Sequence, residues 1–118
     1  MVEFVLPIRC EKNYGMNSLY AGKHWSKRKR EAEYIKTVVW YAMKMSGVKR
    51  RLFERPVCIR LSYNDRMDCD NHGYMTKMVI DGMRGYLLED DTRKYVTCVT
   101  QDFWDGEGVR VQLEEAGQ

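Results

Sequence analysis

Apolar residues recur along this chain with two periods, one near 3.6 and one of 2, and the switches between them mark the elements. Residues 2–9 read as a strand, with Val5 and Ile8 among its apolar positions and Pro7 marking an edge or an end. Residues 10–24 carry Asn, Gly and Ser and read as a loop. From Trp25 to Met45 the positions Trp25, Ala32, Ile35, Val38, Val39, Ala42 and Met45 follow helical spacing. Lys27, Lys29, Arg30, Glu33 and Lys36 fall largely on the other face, and Gly47 is a stop just past the end. Pro56 to Tyr63 is a strand, because Val57, Ile59, Leu61 and Tyr63 alternate with Cys58, Arg60 and Ser62. A polar loop, Asn64 to Asn71, precedes a second helix over about Tyr74 to Arg84, striped by Met75, Met78, Val79 and Met83 and ended by Gly85. Two strands close the chain, 94–100 and 109–114, with Asp102–Gly108 between them as a hairpin loop.

The predicted order is β-α-β-α-β-β: an α+β fold in which two helices pack on a small mixed sheet. A βαβ crossover makes part of the sheet parallel, and the final hairpin is expected to be antiparallel. At 118 residues, without repeats or a low-complexity linker, 1–118 reads as one domain with a modest core.

Charge changes the picture more than composition does. The net charge is only +3, yet residues 1–60 hold 14 Lys and Arg against 5 Asp and Glu, and residues 61–118 hold 6 against 12. Such halves either neutralise each other on one surface or divide the work, one holding a polyanion and the other cations. The four cysteines, Cys10, Cys58, Cys69 and Cys98, form no C-x-x-C pair, and no secretory context calls for disulfides. Cys58 and Cys98 read as small buried residues. The only histidines, His24 and His72, have no ligand spacing, so zinc is not expected. No apolar run approaches the ~20 residues of a membrane span, and residues 1–10 lack a basic start followed by an apolar core. A cytoplasmic protein is expected.

The acidic half carries the candidate chemistry. Asp68 and Asp70 alternate in Asp68–Cys69–Asp70–Asn71, and alternating carboxylates in extended chain point to one side. Oxygen donors of this kind suit Mg²⁺. Glu89–Asp90–Asp91 follows about twenty residues on, beyond the second helix. If the turn after that helix returns to the D-x-D loop, three carboxylates converge, as phosphodiester hydrolysis requires. Asn71 either caps the following helix or orients Asp70. Lys77 lies four residues before Asp81, either as a surface pair or as a cation near a phosphate.

The basic half carries candidate DNA contacts. Lys23, Lys27, Arg28, Lys29 and Arg30 put five cations within eight positions, beside His24 and Trp25. Lys49–Arg50–Arg51 lies beyond the helix end, and Arg66 adjoins the D-x-D loop. Two such clusters can bracket a phosphate backbone, with affinity that falls as salt rises. Trp25 reads as a core or dimer-contact residue.

Together these motifs resemble the RusA-type Holliday junction resolvases, many of them carried by phages and prophages. Their pattern is D-x-D-N, a helix bearing Lys with Asp four residues later, then a turn ending in D-D. Here it stands as Asp68–Cys69–Asp70–Asn71, Lys77 with Asp81, and Asp90–Asp91. The segment Asn17–Ser18–Leu19–Tyr20 with Trp25 is similar to the family's early loop and helix start. Three more residues than usual separate D-x-D-N from the lysine, so strict counting lands on Tyr74, whereas Lys77 keeps the distance to Asp81. The resemblance implies a homodimer that resolves four-way DNA junctions by paired phosphodiester cleavage in recombination and repair. It implies Asp68, Asp70 and Asp91 as catalytic ligands of Mg²⁺ (or Mn²⁺), and Lys77 as the catalytic lysine. Asp91 rather than Asp90 is chosen by the family pattern. Two other readings are a branched-DNA-binding protein that does not cut, and a related nuclease acting on other branched DNA.

Overall fold

The computed structural model describes residues 1–117. Its elements are β1 (Val2–Leu6), α1 (Met16–Tyr20), α2 (Trp25–Met45), β2 (Val57–Tyr63), α3 (Gly73–Gly82), β3 (Val96–Phe103) and β4 (Val109–Glu115). Short 3₁₀ turns at Lys12–Tyr14 and Cys69–His72 precede α1 and α3. The architecture is α+β, as the patterning predicts, with one mixed four-stranded sheet.

The strand order is β1-β4-β2-β3. β4 lies between β1 and β2 and is antiparallel to both, while β3 pairs parallel with β2. The expected β3–β4 hairpin therefore does not form. Like β2, β4 alternates with fully covered side chains, Val109, Val111 and Leu113, here flanked by half-buried Arg110 and Gln112. It takes an interior place, where Leu113 meets Val2 and Ile59, and Val111 meets Phe4 and Leu61. β3 has only half-buried or exposed positions and takes the edge. Asp102 and Phe103 belong to β3 itself rather than to a turn.

Gly108 makes the entry into β4 possible. Its φ is +85°, and a Cβ there would lie 2.2 Å from the Leu6 carbonyl oxygen. Only glycine accepts both conditions.

The helices bury one sheet face. Ile35, Val39, Ala42 and Met43 of α2 join Met75, Met78, Val79 and Ile80 of α3 against Phe4, Leu6, Ile59, Leu61 and Tyr63. The buried stripe of α2 is thus Glu31, Ile35, Val39, Ala42 and Met43. Trp25 and Met45, expected on it, are exposed, as is Ala32. Phase explains the shift: the helix is centred on Ile35 and Val39, and those three positions lie to the side of that line.

Among the described residues no helix covers the opposite sheet face. Cys58 and Cys98 point there, half-buried and exposed respectively, because they alternate with Val57 and Ile59. The buried cysteine is Cys10. α1 is a further correction, a helical turn inside the stretch read as loop. It exists because it is docked: the backbone N–H of Asn17 donates to Asn71 Oδ1 at 3.0 Å. That bond occupies Asn71, which does not cap α3.

Candidate functional site

The segment after β2 is the acidic loop, and its 3₁₀ turn, Cys69–His72, leads into α3. Asp68 stands at the start of that turn with no side-chain cap bond, and Asp70 lies within it; both are exposed. An open cleft of about 560 Å³ runs between α3 and the edge strand β3. Asp70, Thr76, Lys77 and Ile80 line one side, and Val99 and Gln101 the other. A larger groove of about 800 Å³ lies elsewhere, between Met1–Glu3, Lys49–Phe53 and the end of β4; it holds none of the candidate aspartates, but Lys49 and Arg51 of the second basic cluster line it.

Lys77 occupies the second turn of α3 and is exposed. Its Nζ donates to Asp81 Oδ1 at 3.0 Å and to Asp91 Oδ2. Asp91 therefore reaches the middle of α3 rather than the acidic loop. The chain before it is tied down from α2 and the 48–53 segment. Trp40 Nε1 donates to the Gly82 carbonyl at 2.6 Å, Tyr86 Oη to the Val48 carbonyl at 2.6 Å, and Phe53 N–H to the Leu87 carbonyl at 2.9 Å. The Lys77 ammonium holds the Asp91 carboxyl down to about 2. The reciprocal bonds from Asp91 and then Asp81 raise Lys77 above its ordinary value. Asp90 turns to the Asp91 N–H and to Arg84.

Tyr74, the position reached by strict motif counting, is buried and donates from Oη to Glu31 at 3.0 Å. Lys77 is thus the lysine beside Asp91, and Tyr74 belongs to the interior. Asp70 and Lys77 share the cleft, and Lys77 and Asp91 share a bond. Asp68, Asp70 and Asp91 are not drawn into one tight group of oxygen donors. Among the described residues the group whose donor atoms lie within 4.8 Å of one another is Cys10, Asp65 and His72. The Asp70 carboxylate on an open cleft nevertheless offers the hard oxygen donors that Mg²⁺ takes.

α2 and α3 run the same way, since Glu31 meets Tyr74 at their starts and Trp40 meets Gly82 further on. Lys27, Arg28, Lys29 and Arg30, the turn before Glu31, are exposed at the end where the acidic loop enters α3. Arg66 is exposed on that loop. Lys23 differs. Its side chain is only 3% exposed, and it donates to Glu31 Oε1 at 2.7 Å and to the Asn13 carbonyl.

Sequence spacing assigns no role to Asp65 and gives His72 no ligand partner. His72 is fully buried, stacked on Tyr63 at 4.1 Å between ring centroids. Its Nε2 meets the Asp65 carboxylate at 2.7 Å, and its Nδ1–H donates to the Cys69 carbonyl at 2.9 Å. No helix among the described residues is long and apolar enough to cross a membrane. Comparison of the chain with protein-family models, with curated proteins and with solved structures returns no match in any of the three.

Proposed function

We propose that this chain is a metal-dependent endonuclease of the cytoplasm that hydrolyses phosphodiesters in branched DNA, with the four-way junction as its substrate and a homodimer as its working form. The observation that carries the reading is the meeting at Lys77. This cation shares an open cleft with Asp70 and bonds Asp91, although 21 residues separate the two aspartates. Asp68, Asp70 and Asp91 would hold Mg²⁺ or Mn²⁺. When bound, such an ion supplies an activated water and neutralises charge building on the phosphate. The chain's own part is electrostatic and positional. Lys77 brings a fixed positive charge to the cleft wall, and a phosphate entering there competes with Asp91 for it. Lys27, Arg28, Lys29, Arg30 and Arg66 hold the flanking backbone, a contact that carries little sequence information. Lys23 is committed to Glu31.

One observation favours the second reading, a branched-DNA-binding protein that does not cut. The Asp91 carboxylate is taken by Lys77, and the three aspartates are not drawn tightly together. One experiment separates the readings: a labelled synthetic four-way junction incubated with wild type and Asp70→Asn, in Mg²⁺ and in EDTA. Paired symmetric nicks that need both Mg²⁺ and Asp70 are expected. Tight binding without cutting under any metal defeats the nuclease reading, and preference for flaps changes the substrate while keeping the chemistry.

A further inference from the structure

Cys10, Asp65 and His72 come from three separate places: the segment after β1, the loop after β2, and the 3₁₀ turn before α3. All three are interior, with Cys10 2% and His72 0% exposed and the Asp65 side chain 3%. Their donor atoms all lie within 4.8 Å of one another. We propose that these three side chains form a buried Zn²⁺ site that staples the N-terminal segment to the acidic loop.

The histidine carries the first part of the argument. Its Nδ1–H donates to the Cys69 carbonyl at 2.9 Å, which leaves Nε2 as the free ring nitrogen. A backbone carbonyl on the far nitrogen is the usual orienting partner of a metal-bound histidine. Nε2 points at both oxygens of Asp65, at 2.9 and 2.7 Å. Two acceptors facing each other need something positive between them, either a second proton or a metal ion. The carboxylate already presents both oxygens, so it can bind through two atoms.

Cys10 selects the metal. Burial first, then the charges of Asp65 and Glu11, push its thiol up to about 12, so it is no nucleophile where it stands. Only a cation in contact would hold it as thiolate. One sulfur, one imidazole nitrogen and two carboxylate oxygens make a four-coordinate donor set that suits Zn²⁺, whereas Mg²⁺ and Ca²⁺ avoid sulfur. The charge also balances. A thiol with an imidazolium–carboxylate pair is neutral, and so is Zn²⁺ with a thiolate, a carboxylate and a neutral imidazole. Binding breaks the S–H bond of Cys10 and removes the proton between His72 and Asp65; both protons leave to solvent, and no redox change occurs.

The site is independent of the nuclease reading, because it uses none of Asp68, Asp70, Lys77 or Asp91. The test offers Co²⁺, and then Zn²⁺, to the full chain, both native and during refolding from denaturant with chelator removed. One Co²⁺ per chain is expected, with a near-ultraviolet thiolate-to-cobalt band and the strong visible bands of tetrahedral cobalt, all lost when Zn²⁺ displaces it. Cys10→Ala should lose the near-ultraviolet band, and His72→Gln should weaken binding by at least about tenfold. Cys69→Ala and Cys98→Ala should keep the spectrum. A folded wild type without the thiolate band, or a Cys10→Ala variant that retains it, overturns the proposal. Should Cys10→Ala fail to fold, calorimetry of the wild type in buffers of different ionisation enthalpy decides. Release of about two protons per Zn²⁺ supports the site, and no binding or no release overturns it.

Discussion

Replacing Glu31 with alanine asks whether Lys23 belongs to the interior or to a DNA-facing surface. Glu31 is 8% exposed on α2, and its carboxylate accepts from Lys23 at 2.7 Å, Tyr74 at 3.0 Å and Asn13 at 3.3 Å. Removing one partner of a buried pair leaves the other charge behind and costs about 3–5 kcal/mol. Here Lys23 keeps the Asn13 carbonyl and lies 4.9 Å from the Tyr74 ring centre, so the loss should fall near the lower end, about 3 kcal/mol. Urea unfolding reads it as a lowered midpoint at unchanged slope. The double variant Lys23→Met/Glu31→Leu, which removes both charges, should recover most of the loss, because apolar replacement of a buried pair is often neutral. A cost below about 1 kcal/mol for Glu31→Ala would mean a solvated pair and would return Lys23 to the phosphate-binding set. Binding to junction DNA gives the matching readout. Lys27→Ala should reduce the salt slope by about 1, and Lys23→Ala should leave it unchanged once folding is accounted for.

Other outcomes are as specific. Gly108→Ala should cost at least about 1–2 kcal/mol from the left-handed backbone alone, and more from the Leu6 carbonyl, read in the same urea assay; a neutral result would refute the close approach. Because the Asp91 carboxyl sits at about 2, below the ordinary ~3.9, its contribution is complete above the ordinary value and disappears as pH falls through about 4 to about 2. At this exposure that contribution stays under about 1 kcal/mol, so the wild-type minus Asp91→Asn difference should be small and vanish in that window. In Lys77→Met, an NMR titration should find the Asp91 carboxyl returned toward its ordinary range; an unchanged value would mean that Lys77 is not its partner. Met43→Ala empties a fully buried position on α2 and should cost about 2–5 kcal/mol.

The candidate site was legible only in part. The residues of D-x-D-N and D-D stand close together in sequence and announce themselves, and Lys77 was singled out by its spacing to Asp81. Lys23 looked like its neighbours Lys27 to Arg30, because nothing local distinguishes a lysine that folds inward from one that stays in water. The difference is made by Glu31, Asn13 and Tyr74, and Tyr74 is 51 residues away. Cys10 and His72 show no ligand spacing, and Asp65 nothing that sets it apart, for the same reason: two of the three gaps between them exceed 50 residues.

Local periodicity by itself determined the kinds of elements: α2 from Trp25 to Met45, β2 through Tyr63, α3, and the alternation of β4. It did so because burying one face of a helix or strand imposes a period that neighbours in sequence must satisfy. The partners of each strand were a tertiary decision. β4 alternates as cleanly for a hairpin with β3 as for insertion between β1 and β2, and the second places Val111 and Leu113 beside Phe4, Ile59 and Leu61 in one core. Side-chain company followed from that choice. Which charge is solvated, which thiol is enclosed and which aspartate meets Lys77 depend on residues that only the closed fold makes neighbours.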